Sequence, residues 1–576
     1  MSEISNSISI NSISKLPPLD EVKDRVRDIP IQLTSTPSPF LADARVFPFN
    51  GILNVAAEAR KNGNQVSVLD LAGFSLEACD QIIDEYKREF PSQKNFALTA
   101  TTPQLPYAVY LSKRIKEKIP DSKIILGGPH VTLTHTAYQI DNIVGKKGRG
   151  YHAFKQLGEH FDTLVSGDGE MAIFYAIDPE NRDHLIDASN LKSDIYMKRG
   201  TLDNYEFPAR DLIDIYSYNY QIDGHRAFSV ISQLGCPYGC GFCGGRDSEV
   251  YRAIRTRSVE NVIDEIKQVV TQSFVDAISS NDPSKAFTAV MFYDDELNVS
   301  RDKVTKRNNL EIICEKLIDL QKELAKEYAK EIKALNLKTE TDEDGEEKLT
   351  MRFRGFVKAE QFSQKQADLM SKAGFKEVLS GVESGSDLML RAMQKGTTRD
   401  INKKCVEYAH KAGLGFKALM SIGHPGESFE TIAESVEWAL SNLTPGMDTI
   451  DWTIITQYPG SPYFDRSEYS EEKNLWLYKI KDKVTDQILN LWSFPTDFTT
   501  QVHNYKGIPG NYIAYVRTDT LSPEQLVELR DNAEEVTRDY LGLSPIESVA
   551  EKQFEHSMGQ SLPPHILRES TTVYQA

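Results

Sequence analysis

Hydrophobic positions along the chain fall into two stretches of alternating strand-like and helix-like pattern, separated by an irregular segment. In the first, residues 45–190, "FPFNGILNVAAEARKNGNQVSVLDL" reads as a helix, a glycine turn and a strand. "NFALTATTPQLPYAVYLSKRIKEKIPDSKIILGGPHV" reads as strand, loop, helix, strand and double glycine, and "FDTLVSGDGEMAIFYAI" adds a strand, a turn and a helix. Strands that alternate with helices predict an open, doubly wound, Rossmann-like parallel sheet, whose ligands bind beyond the C-terminal strand ends.

The second stretch, residues 226–475, starts with the β-branched strand pattern "AFSVISQLG". An amphipathic helix follows, with Val259, Val262, Ile263, Ile266 and Val269 at helical spacing. The strand patterns "AFTAVMFYDDELN", "TMRFRGFV", "FKEVLSGVESG", "LGFKALMSIGHPGE" and "DTIDWTIITQYPG" come next, separated by helical stretches. About six βα units predict a partial (β/α)6 barrel. The other segments are simpler. Residues 1–44 are Ser-rich and polar and are expected to be a flexible leader, and 191–225 read as a linker. A long helix from Leu310 running into the acidic "KTETDEDGEEK" predicts a solvated insertion at about 310–349. Residues 476–576 are expected to form a mostly helical cap, with Ser522 as an N-cap and Leu526, Val527, Leu529 and Val536 on the apolar face.

Composition narrows the function. The chain has 576 residues, 40% of them hydrophobic, and a net charge of −18. No apolar run approaches the roughly 18 residues of a membrane span, and the N-terminus has no secretory pattern, so a cytoplasmic location is expected. The acidic balance argues against a nucleic-acid partner, because phosphate contacts dominate such binding. Six cysteines are too few for a disulfide framework in a chain this long. Cys79, Cys314 and Cys405 lie far apart on helical patterns and read as small buried residues.

The other three cysteines stand in "CPYGCGFC", as Cys236, Cys240 and Cys243. The spacing C-x3-C-x2-C lacks the fourth protein ligand that closes a structural zinc site, and the nearest histidine, His225, lies eleven residues upstream. A 4Fe-4S cube held by three thiolates keeps one iron open. The predicted strand before Cys236 puts the triplet at a C-terminal strand end, where barrel chemistry takes place. Gly235, Gly239, Gly241, Gly244 and Gly245 allow the backbone to wrap a bulky group.

With Phe242 directly before the last cysteine, this motif resembles the radical S-adenosylmethionine (SAM) superfamily. The resemblance implies a 4Fe-4S cluster on Cys236, Cys240 and Cys243, with SAM on the open iron. It also implies reductive cleavage of SAM to a 5'-deoxyadenosyl radical, with an external electron donor such as flavodoxin or ferredoxin. Strand ends supply the other implied SAM contacts: Asp294 and Asp295 in "YDDEL", Glu383 and Ser384 in "GVESGS", and Gly423 and Pro425 in "GHPGES". Carboxylates suit an ammonium or vicinal hydroxyls, although helix capping explains such residues equally well.

None of the N-terminal turns is a G-x-G-x-x-G, so a nicotinamide site has no support. "LTATTP", "LGGPHV" and "SGDGE", in that order, resemble instead the cobalamin-binding domain that precedes many radical SAM barrels. By that resemblance Thr99, Thr101, Thr102, Gly127, Gly128, Gly167, Gly169 and Glu170 would contact cobalamin. A D-x-H-x-x-G stretch, the usual source of a lower axial histidine, does not occur, and His130 and His135 are expected to be loop histidines. The resemblance spans about residues 45–470 and implies a methyltransferase acting on an unactivated carbon of a small-molecule or natural-product substrate. The alternative is a cobalamin-binding radical SAM cyclase or rearrangement enzyme. A tRNA-modifying enzyme and a non-catalytic corrinoid protein are weaker fits. The former usually carries an extra N-terminal cysteine set and a basic tail, and the latter has no need of cluster cysteines.

Overall fold

The computed structural model describes residues 16–37, 46–218, 220–500 and 512–543. The N-terminal elements run, in chain order, α1 (Leu19–Val26), β1 (Ile31–Ser35), α2 (Asn50–Lys61), β2 (Val66–Asp70), α3 (Leu76–Glu89), β3 (Asn95–Thr99), α4 (Leu105–Lys118), β4 (Lys123–Gly127), α5 (Pro129–Ile143), α6 (Arg149–His160), β5 (Thr163–Gly167), α7 (Gly169–Ile177) and β6 (Leu185–Ala188). The six strands form one all-parallel sheet in the order β2-β1-β3-β4-β5-β6. Apolar residues of α1, α2 and α7 pack on one face, and those of α3, α4, α5 and α6 on the other. Strand order reverses between β1 and β3, which opens a crevice at their C-terminal ends.

The expected flexible leader is corrected here. Residues 19–35 form α1 and an interior strand of the sheet, buried at every position of β1. "IQLTS" alternates apolar and polar residues like an exposed strand. In the fold Gln32 and Thr34 are buried as well, and the Gln32 amide donates to the Leu33 carbonyl at 2.5 Å. Sheet order, which the local pattern does not carry, decides their burial.

The second body holds six parallel strands: β7 (His225–Val230), β8 (Ala289–Phe292), β9 (Arg352–Arg354), β10 (Glu377–Glu383), β11 (Gly415–Ile422) and β12 (Thr449–Ile454). Parallel bridges Phe353–Phe375 and Phe356–Leu379 join β9 to β10 and continue the curve of the sheet. The helices between these strands are α8 (Val259–Ser279), α9 (Asn309–Glu327), α10 (Gln364–Ala373), α11 (Arg399–Lys411) and α12 (Phe429–Asn442). The expected insertion differs in its bounds. The helix read as part of an insertion is the β8–β9 crossover itself: Leu310, Ile313, Leu317, Leu320 and Leu324 of α9 are buried in the barrel core. Beyond it lie only a short helix and the hairpin Thr339–Thr341 with Glu347–Leu349.

The region after residue 475 departs from the mostly helical expectation. Glu468–Ser470 (β13), Leu475–Lys481 (β14), Ile488–Ser493 (β15) and Val516–Arg517 (β16) make an antiparallel sheet, followed by one helix, α13 (Pro523–Leu541). "LWLYKIK" carries two aromatic residues and an isoleucine and alternates over its last four positions, which suits a strand. Residues 501–511 and 544–576 of the expected cap lie outside the described residues. α13 packs on β12: the Trp452 indole donates to Thr537 Oγ1 at 3.0 Å, and Arg530 Nε donates to the Trp452 carbonyl at 2.9 Å. Among the described residues no helix is long and apolar enough to cross a membrane.

Two buried arginines join the bodies. Arg255, after the cysteine loop, pairs with Asp168 at the end of β5. Arg149, at the start of α6, donates to Gln457 Oε1 at 2.7 Å and stacks over Phe464, 3.9 Å from the ring centroid.

Candidate active site

The strand ends of both bodies face one space. On the N-terminal side all eight residues implied as cobalamin contacts, Thr99, Thr101, Thr102, Gly127, Gly128, Gly167, Gly169 and Glu170, line a single cavity of about 820 Å³. Its opposite wall belongs to the barrel and includes Ser229, Tyr251, Tyr293 and Gly244, the residue after Cys243. Three chain reversals shape the N-terminal wall. After β3, Thr101 and Gln104 form a capping box, and the Gln104 amide donates to the Thr36 carbonyl at 2.7 Å. After β4, Gly128 takes φ 94°, and a Cβ there would strike Thr99 Oγ1 and the Ala100 backbone, so only glycine fits. After β5, α7 begins at Gly169. The N-terminal ends of α4, α5 and α7 thus sit at the cavity wall; at α4 and α5 a proline and local bonds (Leu105 N to the Thr102 carbonyl, His130 N to the Ala100 carbonyl) take up the first donors.

No lysine, arginine or histidine lines this cavity among the described residues. His130 and His135 are not loop histidines: both are buried within α5. His130 Nδ1 meets Thr102 Oγ1 at 2.9 Å and Nε2 meets Thr134 Oγ1 at 3.3 Å. Burial pushes its pKa down to about 3. His135 Nδ1 meets Ser166 Oγ at 3.0 Å behind the sheet end. Glu170 is buried, and burial together with Asp168 pushes its carboxyl up to about 8.

On the barrel side the cysteine loop is pinned from three directions. Cys236 N donates to the Tyr251 carbonyl at 2.9 Å, Gly241 N to the Met393 carbonyl at 2.7 Å, and Tyr463 N to the Gly241 carbonyl at 2.9 Å. Gly241 lies flat on the Tyr463 ring, with no room for a Cβ. The three thiols are near enough to act on one another: burial lifts Cys243 to about 12, Arg246 opposes this, and Cys240 and Cys236 add to the rise. Burial likewise raises Cys236, again against Arg246. Arg246 is 5% exposed, donates to the Cys236 carbonyl, and has an Nε without a hydrogen-bond partner.

Such a buried guanidinium is costly unless negative charge stands beside it. A thiolate-bound cluster supplies that charge, so the residues fit the group. Among the described residues no three His, Cys, Asp or Glu side chains converge on a single ion. A cube takes one thiolate per iron, so convergence on one point is not what it requires.

The residues implied as SAM contacts separate into two sets. Asp294 has its carboxylate committed: it accepts from Ser232 N at 2.6 Å, from Gln233 N at 3.1 Å and from the Ser232 hydroxyl. It therefore fixes the backbone that leads into the cysteine loop. Ser384 shares a hydrogen bond with Ser435 at 2.8 Å and caps the following turn through Ser386 N. Gly423, at φ 89°, and Pro425 are buried in the turn beneath the cap, with Val516 over Gly423. These four do structural work.

Asp295, Phe242 and Glu383 lie around the cysteine loop. Asp295 is exposed and faces Arg246. The Phe242 ring packs edge-on against His424, centroids 5.2 Å apart. Glu383 closes a bulged strand end at φ 63°, which re-aims its side chain. It accepts from the Lys395 ammonium at 2.8 Å and from Ser421 Oγ at 2.8 Å. Burial alone would raise its carboxyl; Lys395 and Ser421 overcome that and hold it below the ordinary value.

Four residues of this region carry no sequence signal of their own. Arg246 follows the motif as one more polar loop residue, and Lys395 lies in a turn between helices. His424 and Tyr463 are joined through space, His424 Nδ1 to Tyr463 OH at 3.3 Å and His424 Nε2 to Ser421 Oγ at 2.9 Å. Glu296 has a buried Oε2 without a hydrogen-bond partner, and burial pushes its carboxyl up to about 7. Only its place in "YDDEL" could have singled it out.

Residues 230–439 match the radical SAM superfamily. An uncharacterized methyltransferase of Pyrococcus horikoshii is 25% identical over 415 residues, 69% of this chain and 74% of that protein. The anaerobic magnesium-protoporphyrin IX monomethyl ester cyclase of Cereibacter sphaeroides is 24% identical over 405 residues, 68% of this chain. The match spans just 55% of the cyclase's own length. Among solved structures, the cobalamin-dependent S-adenosylmethionine radical enzyme OxsB, with aqua-cobalamin and S-adenosylmethionine bound, superposes with a TM-score of 0.51 at 13% identity. That superposition covers 95% of this chain and 64% of OxsB, and it establishes a shared fold.

Proposed function

We propose that the protein is a cobalamin-dependent radical SAM enzyme and that it methylates an unactivated carbon of a small-molecule substrate. The observation that carries this reading is the shared cavity. Its N-terminal wall is built from the three turns that resemble a corrinoid site, and its other wall reaches the residue after Cys243. When bound, the cluster and SAM supply a 5'-deoxyadenosyl radical and the corrinoid supplies a methyl group.

The chain's own residues hold and orient. Cys236, Cys240 and Cys243 supply the thiolates, and the electron comes from a flavodoxin- or ferredoxin-type donor. Asp295 and the unpartnered Glu296 oxygen are the acceptors available to the methionyl ammonium and ribose, with Asp294 fixing the loop behind them. Thr99, Thr101, Gly127, Gly128, Gly167 and Gly169 would bring backbone and hydroxyl groups to the corrinoid, and the α7 terminus would suit the phosphate of its nucleotide tail. Both α5 histidines are engaged with Thr102 and Ser166, so neither is among the described residues that would hold the corrinoid. Tyr251, Tyr293 and Tyr458 leave a mainly apolar space between the cofactors, which excludes water from a reactive radical.

Anaerobic reconstitution with iron, sulfide and methylcobalamin, followed by SAM and a reductant, tests this. The expected result is corrinoid co-eluting with the protein and S-adenosylhomocysteine formed together with 5'-deoxyadenosine. Protein that binds no corrinoid overturns the N-terminal assignment. The cyclase relative favours a second reading, ring closure or rearrangement without methylation. In that case 5'-deoxyadenosine forms and S-adenosylhomocysteine does not.

A further inference from the structure

We infer that Arg246 sets the reduction potential of the cluster, holding it high enough for a low-potential one-electron donor to reduce. The inference rests on the cluster reading proposed above. Arg246 is three residues beyond Cys243, 5% exposed, and bonded through its guanidinium to the Cys236 carbonyl, so it is fixed against the loop. All three thiols act on it, and Cys243 and Cys236 act more strongly than Asp295, the nearest carboxylate.

Charges around the loop are otherwise balanced or open to solvent. Lys395 is neutralised by Glu383 at 2.8 Å. Asp295 is exposed, so water screens it. Glu296 is half-buried with its Oε2 enclosed, and that burial raises its carboxyl to about 7. Arg246 is the buried cation in this shell without an ion-pair partner among the described residues, and a guanidinium does not lose its proton in a protein.

Reduction adds one electron, given up by the flavodoxin- or ferredoxin-type donor, to a centre already negative from its thiolates. No bond to the protein forms or breaks. A fixed cation in a poorly screened site favours the more negative state and raises the potential. The role is positioning of charge, since Arg246 transfers nothing itself.

Potentiometric titration of the reconstituted full chain, followed by electron paramagnetic resonance in the absence of SAM, tests this with Arg246→Gln and Arg246→Lys beside the wild type. Iron and sulfide content is measured on each. The expected result is a full cluster in both variants. At a fixed applied potential the reduced-to-oxidised ratio should fall about tenfold in Arg246→Gln, a shift of about 59 mV to the negative for a one-electron couple. Arg246→Lys should stay within about threefold of the wild type.

An unchanged potential in Arg246→Gln overturns the inference, and so does an equal shift in both variants. A difference that appears only after SAM is added assigns Arg246 to the SAM carboxylate instead. If Arg246→Gln loses the cluster and Arg246→Lys keeps it at unaltered potential, the guanidinium serves assembly and not poise, which also overturns the inference. A wild type that takes up no cluster overturns the metal-centre reading itself, a separate outcome.

Discussion

The two walls of the cavity solve opposite problems. Among the described residues the N-terminal wall has no lysine, arginine or histidine, and it meets its ligand with glycine turns and threonines. The barrel wall of the cavity is mainly apolar, and the ionic groups stand away from it, around the cysteine loop: Arg246 beside the thiols, Lys395 against Glu383, and Glu296. A wall that binds by backbone shape suits a large ligand recognised over many weak contacts. A loop ringed by charge suits a small centre whose charge changes during the reaction. Substitutions should therefore act differently on the two sides, through geometry on the first and through charge on the second.

The largest effect tests the charged side at its centre. Cys243→Ala should lose most bound iron and at least a thousandfold of any 5'-deoxyadenosine formation, because an iron left without its thiolate is not held (an order-of-magnitude expectation from cluster ligation). Corrinoid binding at the other wall should persist. Iron analysis and corrinoid absorbance on the same sample decide it, and loss of both together would mean the two walls are not separable.

The next effect concerns Lys395. Replacing it by Met leaves Glu383 buried without its cation, which costs about 3–5 kcal/mol. The double variant Lys395→Met with Glu383→Met should recover at least half of this, because a buried pair exchanged for apolar groups is often near neutral. Thermal unfolding of the four proteins closes the cycle. Simple additivity would show that the pair does not act as a unit.

Much of this division was legible in the sequence and some was not. Strand ends were legible because β-strands here are short apolar runs that stop at Gly, Asp or Glu, as at Gly127, Gly167 and Glu383. The turns that line the cavity follow directly from those ends. What escaped depends on contacts between distant segments. Burial of Gln32 and Thr34 depends on sheet order, and the strand nature of Leu475–Lys481 on its pairing with Ile488–Ser493. Asp294 and Asp295 are adjacent and chemically equal in the sequence, yet one is locked to Ser232 and the other is free to face Arg246. A single arginine in a glycine-rich loop has no pattern, and the meaning of Arg246 comes from its burial.

A smaller, geometric effect belongs to the N-terminal wall. Gly128→Ala forces a Cβ onto Thr99 Oγ1 and the Ala100 backbone at φ 94°, a strain of about 1–3 kcal/mol. Bound corrinoid should fall with it, while the iron content and cluster spectrum stay at wild-type values. A change in the cluster spectrum as large as the change in corrinoid would contradict the separation of the walls.

The finest test concerns Glu170, the one ionisable group on the N-terminal wall besides the Arg255-paired Asp168. Burial, with Asp168 second, lifts its carboxyl to about 8 from the ordinary value near 4.5. The folded chain keeps this proton up to about pH 8, whereas the unfolded chain releases it above about 4.5. Folding thus binds a proton in that window, and stability is greatest below it and falls as pH rises, by about 1.4 kcal/mol per unit.

Asp294, Glu296 and Glu427 tilt stability in the same direction, but their carboxyls sit near 6, 7 and 7, so their share is mostly lost before pH 7. His130 and His424, each held near 3, bind a proton only in the unfolded chain, below about 6.5, so their effect is spent before pH 7. Burial also raises Asp465 well above its ordinary value, so the Glu170 share is read as the difference between two proteins. In the full chain without added corrinoid, the wild-type unfolding midpoint should drop more between pH 7 and 8 than that of Glu170→Gln. A variant that tracks the wild type would show Glu170 already ionised, and the N-terminal wall would then carry a charge of its own.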